Sequence, residues 1–223
     1  NGIPHWYFHK LSGQYTNYKI KCLDPDLLID SIIPPNKIVG SVVYPACEIV
    51  KPGKIRHING NRFSLGEPDG SESDRLKFIS EIMKEAGFRA PMQKNIRDEI
   101  WLKLIGNLSF NPISALTGAT LEQICNDIGT EAIVREMMLE AKIIAEKLEA
   151  KINMSIEKRI EGARRVGAHK TSMLQDIEAG KPIEIDSIIV AVKELGELTN
   201  SPTPYINTIL NLTLQKAKLI GCL

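Results

Sequence analysis

Hydrophobic positions follow two different rhythms along the chain. Through about residue 90 they come in short β-branched runs broken by Gly, Pro and Asn, and beyond that they recur every three to four residues. The change of rhythm places a boundary near Gln93, which separates a part over 1–94 from a part over 95–223. In the first part, residues 37–44 (KIVGSVVY) predict a strand. Residues 54–57 and 62–65 flank Asn59-Gly60, a pair that tolerates positive φ, and predict a hairpin turning there. Leu76, Ile79, Ile82, Met83 and Ala86 share a helical face, so 71–86 reads as a helix closed by Gly87.

From Asn95 onward the pattern is helical nearly throughout. Thr120-Leu-Glu-Gln123 and Ser172-Met-Leu-Gln175 both fit a capping box, in which a hydroxyl and a third-position amide satisfy free backbone donors reciprocally, and so mark two helix starts. Residues 131–150 and 185–199 are long periodic segments. Gly180 and Pro182 separate the second of these from the helix opening at Ser172, and 201–204 (SPTP) breaks the last two helices. The fold class read from this order is α/β followed by all-α.

The segment 100–111 (IWLKLIGNLSFN) is apolar almost all the way round at about 100° per residue, which predicts a buried helix. Its polar residues Lys103, Asn107 and Asn111 stand at i, i+4 and i+8 and form one stripe. A buried ammonium or amide without a partner costs on the order of 1 to several kcal/mol, so something polar meets them. Two readings follow: Lys103 snorkels to solvent while the asparagines bond loop backbone, or the stripe is the wall of a site. A desolvated lysine has a lowered pKa and can give a proton to a carbonyl oxygen, while amides orient a hydroxyl or carboxylate.

A second constellation runs from His169 to Asp186. Ser172 is either an ordinary helix cap or a hydroxyl that, with free backbone donors, holds a carboxylate. Glu184, between two isoleucines just after Pro182, is either a solvated residue or faces a site.

Composition narrows the function classes. The 28 basic and 27 acidic residues give a net charge of +1, with no basic stripe to attract nucleic acid or an anionic membrane surface. Four scattered cysteines form no CxxC pair, and no apolar run approaches membrane-spanning length, so a reduced, cytoplasmic setting is the default. His5 and His9 stand four apart but lack a third ligand, so no metal is expected. Trp6-Tyr7-Phe8 reads as packing.

Taken together, the segment from Asn95 to Leu116 and the run Thr171-Ser-Met-Leu-Gln-Asp176 followed by Glu184-Ile-Asp186 resemble the ketopantoate reductases (2-dehydropantoate 2-reductases), and the similarity runs across essentially the whole chain. The resemblance implies a partial Rossmann-type NADP-binding domain over 1–94 and a helical substrate-binding and dimerisation domain, similar to the C-terminal domain of 6-phosphogluconate dehydrogenase, over 95–223. It implies NADPH-dependent reduction of 2-dehydropantoate to (R)-pantoate, a step toward pantothenate and coenzyme A. Lys103 would be the proton donor, Glu184 would orient substrate or pair with Lys103, and Asn107, Asn111 and Ser172 would bind substrate. Asn1, in Asn1-Gly-Ile-Pro4, would lie near the nicotinamide. The partners implied are a small 2-oxo acid and, in the helical part, a second copy of the chain.

Two departures bear on this reading. Some family members carry a further asparagine in the loop after the catalytic helix, where this chain has Thr117-Gly-Ala-Thr-Leu121. No G-x-G-x-x-G turn, which lets backbone approach a pyrophosphate, occurs in these residues, and the first residue is not Met. The expectation is therefore that the amino-terminal part of the nucleotide-binding domain is missing, and that residues 1–223 alone are inactive and bind NADPH weakly. Reduction of another branched 2-oxo acid, or a non-catalytic helical interaction module, are the alternatives.

Overall fold

The computed structural model describes residues 1–223. The chain forms two compact units: His5–Lys19 with Asp24–Ile100, and Asn1–Pro4 with Ile20–Leu23 and Trp101–Leu223.

The first unit holds a short helix α1 (Leu28–Ile32), strands β1 (Gly40–Val43), β2 (Ala46–Lys51), β3 (Lys54–Asn59) and β4 (Phe63–Gly66), and helix α2 (Asp74–Glu85). The strands nest: β1 pairs antiparallel with β4 from Gly40↔Gly66 to Val43↔Phe63, and β2 pairs with β3 from Ala46↔Asn59 to Lys51↔Lys54. This corrects the hairpin placed at Asn59-Gly60. Pro52-Gly53 makes the tight turn, with Gly53 at φ 74°, so 54–59 pair backward and 62–65 fall to β1. Gly60 does take a positive φ of 78°, but at the corner between β3 and β4. Residues 37–39 also stop short of the expected strand, because Pro35–Lys37 forms a 3-10 turn.

After β4 the chain runs through α2 and returns beside β4 in parallel, with bridges Arg62↔Arg89 and Leu65↔Met92. That β-α-β unit packs Leu65, Leu76 and Ala90 together with Val39, Phe63, Ile79 and Met83. Ser73 caps α2 by accepting from the Leu76 N–H, and Gly87 at φ 89° ends it, close to the expected bounds. Tyr7 and Phe8 are fully buried, and Phe8 meets Tyr7 and Tyr18 edge to face.

Helix α3 (Ile96–Thr117) starts in the first unit and continues in the second. The second unit is helical: α4 (Leu121–Asn126), α5 (Ile128–Lys147), α6 (Ile156–Val166), α7 (Ser172–Glu178), α8 (Ala191–Leu198) and α9 (Pro204–Ile220). Its core includes Val134, Met137, Met138, Ile144, Leu195 and Ile206. Thr120 and Gln123 form the expected capping box. At α7 the cap is one residue earlier than expected. Thr171, with extended backbone, accepts from the Leu174 N–H, and the Gln175 amide turns to the Lys170 carbonyl. Residues 185–199 are not one regular helix either, because Asp186–Val190 forms a π turn before α8. The break at 201–204 is present, and Glu140 closes it by accepting from the Tyr205 and Ile206 N–H groups at the start of α9, each at 2.9 Å. No helix is long and apolar enough to cross a membrane.

Candidate active site

Helix α3 is buried nearly all round, as its apolar pattern requires: Trp101, Leu104, Leu108 and Phe110 are all within the core. The polar stripe stands out on it. Lys103 and Asn107 are half-buried, and Asn111 is 5% exposed. The carboxamides of Asn107 and Asn111 make no hydrogen bond with the rest of the chain. The reading in which the asparagines bond loop backbone therefore does not hold, and two amides on one helix face are open to a ligand.

Glu184, in the segment between α7 and the π turn, acts electrostatically on Lys103 of this stripe. Ile183 and Ile185 are buried on either side of it, and the Ile183 N–H donates to the Cys222 carbonyl at 3.0 Å, which leaves the Glu184 side chain facing outward. The Asn1 amide donates to Glu184 Oε2 at 2.9 Å. Gly2 makes that reach possible. Its φ is 76°, a Cβ there would stand 2.3 Å from the Ser187 carbonyl oxygen, and the Ile3 N–H donates to that same oxygen at 2.8 Å. The π turn begins two residues after Glu184, a local widening of the helix that recurs at functional sites.

Burial pushes the Lys103 ammonium below the ordinary lysine value, the Glu184 carboxylate opposes that shift, and the Arg159 guanidinium adds to it. Lys103, Glu184 and Asn1 are thus one electrostatic cluster. Ser172 is exposed in the first turn of α7. With Thr171 serving as the cap, its hydroxyl is not consumed by the helix, and no hydrogen bond joins it to Lys103 or Glu184.

Arg159, on α6, was not read from the sequence. The signal for it was Gly106, a glycine inside a buried helix, where close approach of another group is the usual reason for the residue. A Cβ at Gly106 would lie 2.1 Å from Arg159 Nη2.

Residues 95–217 match the family model described as "Ketopantoate reductase PanE/ApbA C terminal". A 2-dehydropantoate 2-reductase of Mesorhizobium japonicum is 51% identical over 222 residues, covering 100% of this chain and 68% of that protein. One from Archaeoglobus fulgidus is 26% identical, over 79% of this chain and 60% of its own length. A crystal structure from Ralstonia solanacearum, provisionally named a ketopantoate reductase, superposes with a TM-score of 0.95 at 39% identity, covering 100% of this chain and 68% of that one. The chain thus spans between 60% and 68% of the length of these relatives. Its β-α-β unit is part of a Rossmann-type fold followed by a helical C-terminal domain, and the chain belongs to the ketopantoate reductase family.

Proposed function

We propose that this protein reduces the keto group of 2-dehydropantoate to (R)-pantoate at the expense of NADPH, with residues 95–223 binding the substrate and 1–94 serving the cofactor. The observation that carries the reading is a half-buried lysine, its charge supported by the Glu184 carboxylate, on a helix whose Asn107 and Asn111 amides make no hydrogen bond within the chain.

A reduced nicotinamide supplies a hydride to the keto carbon when it is bound. As negative charge develops on the keto oxygen, the Lys103 ammonium stabilises it and hands over a proton. Burial of Lys103 favours that transfer by weakening its hold on the proton, and Glu184 keeps enough of it charged to donate. Asn107, Asn111 and the Ser172 hydroxyl hold the substrate's hydroxyl and carboxylate. Asn1, tied to Glu184, would help hold the nicotinamide beside the substrate when the cofactor is bound. The G-x-G-x-x-G turn that would cradle the pyrophosphate is not among residues 1–223, so the phosphates are assigned no partner here.

The proposal includes a cytoplasmic enzyme whose helical part pairs with a second copy. Leu139 and Ile143, exposed one turn apart on α5, supply apolar surface for that contact. Sedimentation of the complete gene product tests it, and a monomer at micromolar concentration would overturn it.

The functional test is NADPH oxidation by the complete gene product, with ketopantoate compared against other branched 2-oxo acids and NADPH against NADH. The expected outcome is the highest kcat/KM for ketopantoate with NADPH. A preference for another 2-oxo acid would reassign the substrate, and no turnover of any would leave a non-catalytic module.

A further inference from the structure

Lys103 and Gly106 are three residues apart on α3, and residues so spaced are surface neighbours on a helix. At Gly106 the helix carries no side chain, and the vacated space is filled from α6. The position a Cβ would take lies 2.1 Å from Arg159 Nη2 and 2.7 Å from both Cζ and Nε, so the guanidinium rests on the α3 backbone one turn from Lys103. Any side chain at 106 would displace it. Arg159 is half-buried there, and its charge is felt at Lys103 along with that of Glu184. The Arg159 and Lys103 cations both attract an anion, and the Glu184 carboxylate offsets part of that attraction.

The substrate class of the proposed reaction is such an anion, with its carboxylate one bond from the ketone. A proton donor at the keto oxygen therefore needs a carboxylate partner immediately beside it, and a planar guanidinium meets a carboxylate with two parallel hydrogen bonds where an amide or hydroxyl supplies one. We infer that Arg159, seated on Gly106, is the carboxylate-binding residue of the site and selects 2-oxo acids over neutral 2-oxo compounds. This deepens the proposed function and rests on it. Asn107, Asn111 and Ser172 are then left to hold the substrate's hydroxyl and the outer edge of its carboxylate.

The test uses the complete gene product and two non-reacting probes, pantoate and its neutral amide, titrated by calorimetry. The wild-type protein binds pantoate more tightly than the amide, and Arg159→Leu weakens pantoate roughly 10- to 100-fold while leaving the amide unchanged. Arg159→Lys, which keeps the charge but not the fork, recovers part of the preference. Gly106→Ala gives an independent route to the same loss, because alanine is the better helix former and its methyl group takes the guanidinium's place. Steady-state rates on ketopantoate show the same variants changed mainly in KM. The inference fails if wild type binds pantoate no better than the amide, or if Arg159→Leu and Gly106→Ala keep the preference. Absence of ketopantoate turnover by the wild type is a separate result. It overturns the proposed function, whereas the acid-over-amide preference and its loss in the variants bear on Arg159 alone.

Discussion

Helix α3 carries two sets of polar residues that look alike in sequence and differ in what the chain does with them. Near its start, Arg97 is 4% exposed and donates to the carbonyls of Tyr7, His9 and Pro68 at 2.7, 3.0 and 2.7 Å, with its guanidinium over the Tyr7 ring. Glu99 accepts from Tyr44, Arg62 and Ser64. Further along, Asn107 and Asn111 receive nothing from the protein, and Lys103 is acted on by the Glu184 carboxylate and opposed by the Arg159 cation. A buried polar group that the chain satisfies fully is holding the fold together. One that the chain leaves open lowers stability unless a ligand completes it.

Substitutions separate the two sets. Lys103→Ala has the largest expected effect: kcat/KM for the 2-oxo acid falls about 10³-fold with the melting temperature unchanged, and an unimpaired rate would remove Lys103 from the chemistry. Arg97→Ala gives the opposite profile. It strands three carbonyls, those of Tyr7 and Pro68 buried and that of His9 partly so, and destabilises the protein by about 3 kcal/mol in denaturant titration, and a smaller loss than 1 kcal/mol would mean those carbonyls find water. Glu184→Gln acts on both Lys103 and Asn1. Protonated Lys103 is the active form, so activity is lost as pH rises through its pKa. Removing the carboxylate that raises that pKa moves the alkaline limb of the kcat/KM profile to lower pH, whereas Arg159→Leu, which removes an opposing charge, moves it higher. Limbs that do not move, or move together, would break the cluster. Glu140→Ala, which uncaps α9, is the mildest: a loss of about 1 kcal/mol with kinetics intact, read from the unfolding midpoint.

The legible parts of this molecule are those decided locally. The periodicity of α3, the capping box at Thr120 and the glycine ending α2 depend on neighbours within a turn or two. The nested strands are not legible locally, because Asn59-Gly60 and Pro52-Gly53 are both good turn pairs and only the partnering of β1 with β4 decides between them. At the α7 cap Thr171 and Ser172 are equivalent as hydroxyls, and only backbone conformation selects the threonine. Among site residues, Lys103, Asn107 and Asn111 declare themselves by spacing on one helix. The contact of Asn1 with Glu184 spans most of the chain, and apart from the resemblance no local pattern in the sequence joins the two. For Arg159 the sequence offers only Gly106, whose missing side chain marks a close approach without saying which residue makes it.

Asn111 gives the sharpest test of the claim that the open stripe exists for a ligand. The Asn111 carboxamide makes no hydrogen bond within the chain and its polar atoms still reach solvent, so Asn111→Leu in the complete gene product should melt within a few degrees of wild type, while kcat/KM for the 2-oxo acid falls about 10²-fold. A melting temperature that drops by several degrees with catalysis intact would show that Asn111 belongs with Arg97 and Glu99, as part of what holds the fold, and the account of the stripe would be wrong.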